Sequence, residues 1–244
     1  MVNRLIVDAP ACGAWNMAVD EALFRSVAND STTVFRLYQW SEPTLSLGYF
    51  QHASDRDLHV ASRNLSLVRR STGGGAIVHD HELTYSLVTQ LPDNRLAGPR
   101  AMMAQVHESL VALFDELRIP ARLCSGTQNA DPEAFLCFAR HTAGDILVGP
   151  HKVAGSAQRR HRLTLLQHGS ILLNRSAAAP ELPGVNDLIS SACSVEAIIQ
   201  AWPQRLERVF SDGWMASEIL PAERELAGKI ERHQFGNPSW NLKR

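Results

Sequence analysis

The sequence predicts an α+β domain: a mixed or mostly antiparallel central sheet with flanking helices. Three observations point there. Segments with strand chemistry come in clusters and do not alternate one for one with helices. One long stretch, 100–118, carries Val106, Leu110, Leu113, Phe114 and Leu117 at helical spacing. With 45% apolar and 20% charged residues among 244, the chain can bury a sizeable core.

The elements follow in order. Residues 15–27 read as an amphipathic helix, with Met17, Ala18, Ala22 and Leu23 on one face and Asp20 and Glu21 early in it. Residues 33–40 alternate Val34, Arg36 and Tyr38 against Phe35 and Leu37, which is strand chemistry that ends at Glu42-Pro43. A short strand at 44–49, a short helix at 55–62 and a strand at 65–70 come next. Three glycines follow, then extended chain at 76–79 and a strand at 83–90. Residues 92–99 form a loop before the long helix, which Pro120 stops. Strands are expected at 121–124, 135–138, 145–148, 152–158 and 164–173, with a polar loop at 125–133. Small residues and prolines at 176–184 predict a long surface connection, reaching to about 191. Helices at 194–210 and 221–233 close the chain.

The formal net charge of −1 excludes a general nucleic-acid footprint, which needs a basic face. Arg69 and Arg70, and the run Arg159, Arg160, His161, Arg162, are the candidates for a local basic patch. No apolar run reaches the ~20 residues of a membrane span. The first residues lack a signal-peptide layout, so a cytoplasmic location is expected. Cys12, Cys124, Cys137 and Cys193 are widely spaced with no C-x-x-C pair, which favours free thiols. The ten histidines match no common metal-ligand spacing, so no metal is expected.

The segment 69–85 is the most unusual. Gly73, Gly74 and Gly75 are costly to order, and their use is close backbone approach or a special φ. A P-loop is excluded because no Gly-Lys-Ser/Thr follows, and a dinucleotide turn because strand chemistry follows the glycines. Two readings remain: a strand–turn–strand that presents bare backbone to a ligand, or a plain hairpin turn.

The pattern Arg69-Arg70-x-x-Gly73-Gly74-Gly75-x-x-x-His79-Asp80 resembles the signature of the biotin/lipoate protein ligase superfamily. Residues 149–160, with Lys152-Val153-Ala154-Gly155-Ser156-Ala157, and 166–173 resemble its lysine-bearing strand pair. Residues 16–23 resemble its first helix. The resemblance implies the biotinyl/lipoyl protein transferase fold, which is similar to that of class II aminoacyl-tRNA synthetases. It also implies one catalytic domain over 1–244, with its core at about 28–215. It places Arg69, Gly73, Gly74, Gly75, His79, Gly155, Ser156 and Ala157 at an acyl group.

Two chemistries occur in that superfamily. Leu136-Cys137-Phe138 lies fifteen residues before Lys152, and Glu82-Leu83-Thr84-Tyr85-Ser86 follows the glycines; both resemble the cysteine octanoyltransferase branch. The resemblance implies Cys137 as nucleophile and Lys152 as the ammonium that favours its thiolate. The donor is then octanoyl-acyl carrier protein, the acceptor a lysine of a lipoyl-domain protein such as the glycine cleavage H protein, and no cofactor is needed. Gly75 departs from that branch, which often has Arg there, and is similar to the lipoate ligases, whose reaction uses ATP and Mg. From the residues alone, Cys137 among Phe135, Leu136 and Phe138 reads first as a buried core cysteine, and His79 and His168 also fit core histidines satisfied by local hydrogen bonds. A non-catalytic lipoyl-binding module is the third possibility, and it has no need of both Cys137 and Lys152.

Overall fold

The computed structural model describes residues 3–28, 32–91, 98–126, 134–210 and 212–244. Its frame is an eight-stranded mixed sheet in the order β11-β1-β2-β6-β10-β9-β8-β7. The strands are β1 (Asn3–Val7), β2 (Thr33–Tyr38), β6 (Glu82–Gln90), β7 (Ala121–Leu123), β8 (Ile146–Val148), β9 (His151–His161), β10 (Thr164–Leu172) and β11 (Trp214–Ala216). The β11–β1 and β1–β2 pairs are parallel, and every pair from β2 to β7 is antiparallel. A small second sheet, β4-β3-β5, is formed by β3 (Thr44–Leu47), β4 (Ser66–Arg69) and β5 (Ile77–His79).

The large sheet buries both faces, and strand alternation sorts its side chains. Phe35, Leu37, Tyr85 and Leu87 pack with helix α2 (Pro99–Glu116) and helix α4 (Val195–Leu206) on one side. Trp202 of α4 stands edge-on to Phe35 and Tyr85, with ring centroids 5.2 and 4.9 Å away. Val34, Tyr38 and Val88 face the other side, toward helix α1 (Gly13–Val27) and helix α5 (Pro221–Ile230). On this second side the inward positions of β6 and β10 are polar: Thr84, Ser86, His168 and Ser170, all buried. Polar residues facing a core, ringed by apolar ones, mark the place where a site lies.

Several expectations need correction. The glycine triplet is not a hairpin turn, because β4 and β5 flank β3 and never pair with each other. Residues 135–138 are not a strand. Leu136 makes one bridge to Ala76, the Cys137 amide donates to the Ala76 carbonyl at 2.7 Å, and the chain then turns as a 3₁₀ helix over Cys137–Ala139. The connection at 176–191 is not bare surface: Ala179 and Val185 are buried, and Val185–Leu188 forms helix α3. Asp20 and Glu21 lie in the middle of α1, which begins at Gly13, and their charges are met by side chains and not by a helix end. The short helix expected at 55–62 is a 3₁₀ segment over Ala53–Leu58. The strands β1 and β11 and the last helix, α6 (Pro238–Asn241), were not expected. Residues 92–97 and 127–133 of the two expected loops lie outside the described residues.

Arg69 explains how the glycine segment is held. Its guanidinium donates to the carbonyls of Gly48, Gln51 and Asn241, and its amide to Asn241 Oδ1. A Cβ on Gly48 would stand 1.9 Å from the Gly74 carbonyl. Gly48→Ala is therefore expected to push the two loops apart and to cost about 3 kcal/mol or more. A denaturant titration checks this; an unchanged midpoint contradicts it.

Candidate active site

A slot lies on the α1 side of the large sheet; its empty space, part of it open to solvent, is about 480 Å³. Its floor follows the register of four adjacent strands. Gly155, Ser170, Thr84 and Tyr38 form one row across β9, β10, β6 and β2. Ala157, His168, Ser86 and Arg36 form the next row on the same face. Side chains are absent or small at the β9 end and large at the β2 end, so the open space starts at β9. Gly73, Gly74 and Ile77 close it from the small sheet, and Met17 from α1. The exposed lining is mostly apolar.

Cys137 and Lys152 meet at the β9 end. Lys152 Nζ lies 3.7 Å from Cys137 Sγ and 3.4 Å from its carbonyl oxygen. The same ammonium is 2.9 Å from Asp145 Oδ2, and both members of that ion pair are almost fully buried. The Thr142 amide and hydroxyl fix the carboxylate, at 2.8 and 2.9 Å. Gly155 makes room for the pair: a Cβ there would come within 2.6 Å of Lys152 Cε and 3.0 Å of Asp145 Oδ1. The sulfur thus faces the slot beside a cation whose position is set by a buried anion.

The walls carry two histidines, each tied to a carboxylate. His79 reaches Glu82 Oε1 at 2.8 Å through Nδ1 and Ser46 Oγ at 2.7 Å through Nε2, and it stacks on Trp40. His168 reaches Asp20 Oδ2 at 3.1 Å and Thr72 Oγ1 at 2.7 Å. Burial alone raises the Asp20 carboxyl, but hydrogen bonding to His168 and the charge of Arg36 outweigh it and hold it below the ordinary carboxylate range. Arg70 is buried and forms no ion pair with a carboxylate among the described residues. It donates to Ser46 Oγ and to the carbonyls of Ser46, Gly73 and Gly75, so it pins both ends of the triplet to β3. Burial pushes its guanidinium down to about 10.

A third histidine, His107 of α2, lies behind β9. It bridges the Gly144 carbonyl at 2.6 Å and Ser156 Oγ at 2.8 Å, which ties the Asp145 turn to the slot floor. Burial lowers the pKa of both His79 and His107. An unfolded chain then takes up protons at a higher pH than these buried imidazoles do. Their contribution to stability is present above the usual histidine value of about 6.5 and is lost as pH falls from there through their lowered folded values. Denaturation midpoints are expected to be lower at pH 5.5 than at pH 8, with a smaller difference in His107→Gln; equal midpoints contradict this.

Of the residues that the sequence suggested, Cys137, Lys152, Gly73, Gly74, His79, Gly155, Ser156 and Ala157 all line the slot. Two do not. Arg69 points away and holds the 48–51 turn, while its neighbour Arg70 takes the wall. Gly75 lies under the Cys137 turn, where a Cβ would meet Cys137 Cα and N at 3.2 Å, so its bareness serves packing. Both arginines are buried and form no surface patch. Met17, Tyr38, Thr84, Phe138, Gly169 and Ser170 also line the slot. The buried polar positions of β6 and β10 were the signal for some of them.

Comparison with known proteins agrees with this geometry. The family model described as the lipoyl protein ligase A/B catalytic domain matches residues 13–187, which include α1, the glycine segment, Cys137 and Lys152. Octanoyltransferase LipM of Carboxydothermus hydrogenoformans is 30% identical over 262 residues, covering 97% of each chain. Octanoyltransferase LipM of Moorella thermoacetica is 41% identical over 165 residues, covering 65% of this chain and 60% of the relative. Among solved structures, a bipartite lipoate protein ligase from Thermoplasma acidophilum, studied with its E2 lipoyl domain, superposes with a TM-score of 0.79 at 21% identity. The match covers 99% of this chain and 96% of that one. The fold is thus that of the lipoate-protein ligases, and the chain belongs to the lipoyl protein ligase A/B catalytic domain family.

Proposed function

We propose that this chain is an octanoyltransferase of protein lipoylation that works through a thioester on Cys137. The observation that carries the reading is the placement of Cys137 Sγ at the end of an apolar slot, 3.7 Å from Lys152 Nζ. Full-length similarity to octanoyltransferases supports it.

The acyl chain lies along the β9-to-β2 floor. The Cys137 thiol gives up its proton and attacks, as the thiolate, the carbonyl carbon of octanoyl-acyl carrier protein; the C–S bond to the carrier breaks, and the departing carrier thiolate takes up that proton. A lysine amine of a lipoyl-domain protein, such as the glycine cleavage H protein, then attacks the enzyme thioester. An amide forms, and Cys137 regains its proton. Lys152 Nζ, 3.7 Å from the sulfur, is placed to donate to the Cys137 thiolate in both steps. Both donors of the acyl group are thioesters and are already activated, so neither ATP nor a metal takes part. The cytoplasm, where unpaired thiols persist, is the setting.

Intact-mass measurement tests the reading. With octanoyl-acyl carrier protein and no ATP, the chain is expected to gain one octanoyl group. Absence of that gain, together with pyrophosphate release from ATP in the presence of free lipoate, would identify a ligase.

A further inference from the structure

A thioester donor has two arms, and the slot accounts for one. With the acyl chain in the slot and its carbonyl at Cys137, the thiol portion must leave in another direction. A second, smaller cleft lies next to the slot. It shares Ile77 and Phe138 with the slot, and Phe138 directly follows Cys137. Lys152 Nζ stands 5.2 Å from the centre of the Phe138 ring, so this ring lies beside the reacting groups.

The chemistry of the cleft is mixed. Ala179 and Leu182 supply apolar surface, and Asp80 and Asn174 supply polar groups. Asp80 is fixed by the Ser176 hydroxyl at 2.8 Å. Asn174 is exposed, and its amide side chain carries no hydrogen bond to another described residue. A pantetheine arm matches this pattern, with two amides spaced by short methylene runs and a dimethyl-substituted carbon. An amide pairs with Asn174 or Asp80, and the alkyl parts lie on Leu182 and Ala179.

We infer that this cleft seats the pantetheine arm of the acyl donor, with the thioester between Ile77 and Phe138. The inference rests on the reading of Cys137 as the acyl acceptor. The other candidate occupant is a loop of the acceptor protein, and the experiment separates the two.

The acylation half-reaction is followed by quenching and intact mass, with octanoyl-pantetheine and with octanoyl-2-mercaptoethanol, which lacks the arm. At equal subsaturating concentration the pantetheine donor is expected to react at least about tenfold faster. Leu182→Trp, which fills the cleft, should bring that ratio close to one. Asn174→Ala, at an exposed position that the fold tolerates, should lower it about fivefold. A wild-type ratio retained in both variants overturns the inference. So does a defect confined to transfer onto the acceptor, which assigns the cleft to that protein. If no donor modifies Cys137 at all, the reading of the site itself fails and this inference falls with it.

Discussion

Cys137→Ala is expected to lose the octanoyl adduct and to reduce turnover at least about 10³-fold, because the residue that forms the intermediate has no substitute. The other three cysteines cannot replace it. Cys124 and Cys193 are buried away from the slot, and Cys12 lies at the start of α1 beside Glu231. The variant should fold, since Cys137 is only half-buried and its backbone makes the turn: the amide bonds to Ala76 and the carbonyl accepts from Arg140. A circular dichroism spectrum and melting curve beside the assay separate lost chemistry from lost structure. Turnover within tenfold of wild type contradicts the assignment.

Asp145→Ala should produce the largest stability loss near the site. Lys152 and Asp145 are both about 95% buried and 2.9 Å apart. Removing one partner leaves a buried charge uncompensated, which costs about 3–5 kcal/mol. Asp145→Asn keeps an acceptor for Thr142 and should cost less. Both variants should slow acylation of Cys137, since the ammonium beside the sulfur is no longer held. The combination Asp145→Ala with Lys152→Met removes both charges and should recover much of the lost stability without recovering activity. Denaturant titration and quenched acylation check the two halves. A double variant no more stable than Asp145→Ala contradicts the account of the pair.

The glycine triplet and the lysine strand were visible in the sequence, because both need residue types that few other contexts use. So were the long helix and most of the large sheet, through apolar period and β-branched runs. Three things were not. Adjacent arginines project to different sides of an extended chain, so the order Arg69-Arg70 does not reveal which one reaches the slot. Residues 135–138 have strand composition, yet their conformation follows from the bare Gly75 and Ala76 beneath them. The strands Asn3–Val7 and Trp214–Ala216 exist through parallel pairing between the two ends of the chain, which no local pattern records. The slot floor had a signal that is plain once the sheet is known. Strand 82–90 alternates Tyr85 and Leu87 with Thr84 and Ser86, and the polar set faces inward.

A covalent intermediate on Cys137 is tested by a chase of the isolated adduct. The octanoylated chain is freed of donor and mixed with a lipoyl-domain protein, and both masses are followed in time. Octanoyl is expected to disappear from Cys137 as it appears on the acceptor lysine, in equal amounts and without donor. An adduct that persists while the acceptor is acylated only after fresh donor is added would show direct transfer and contradict the account.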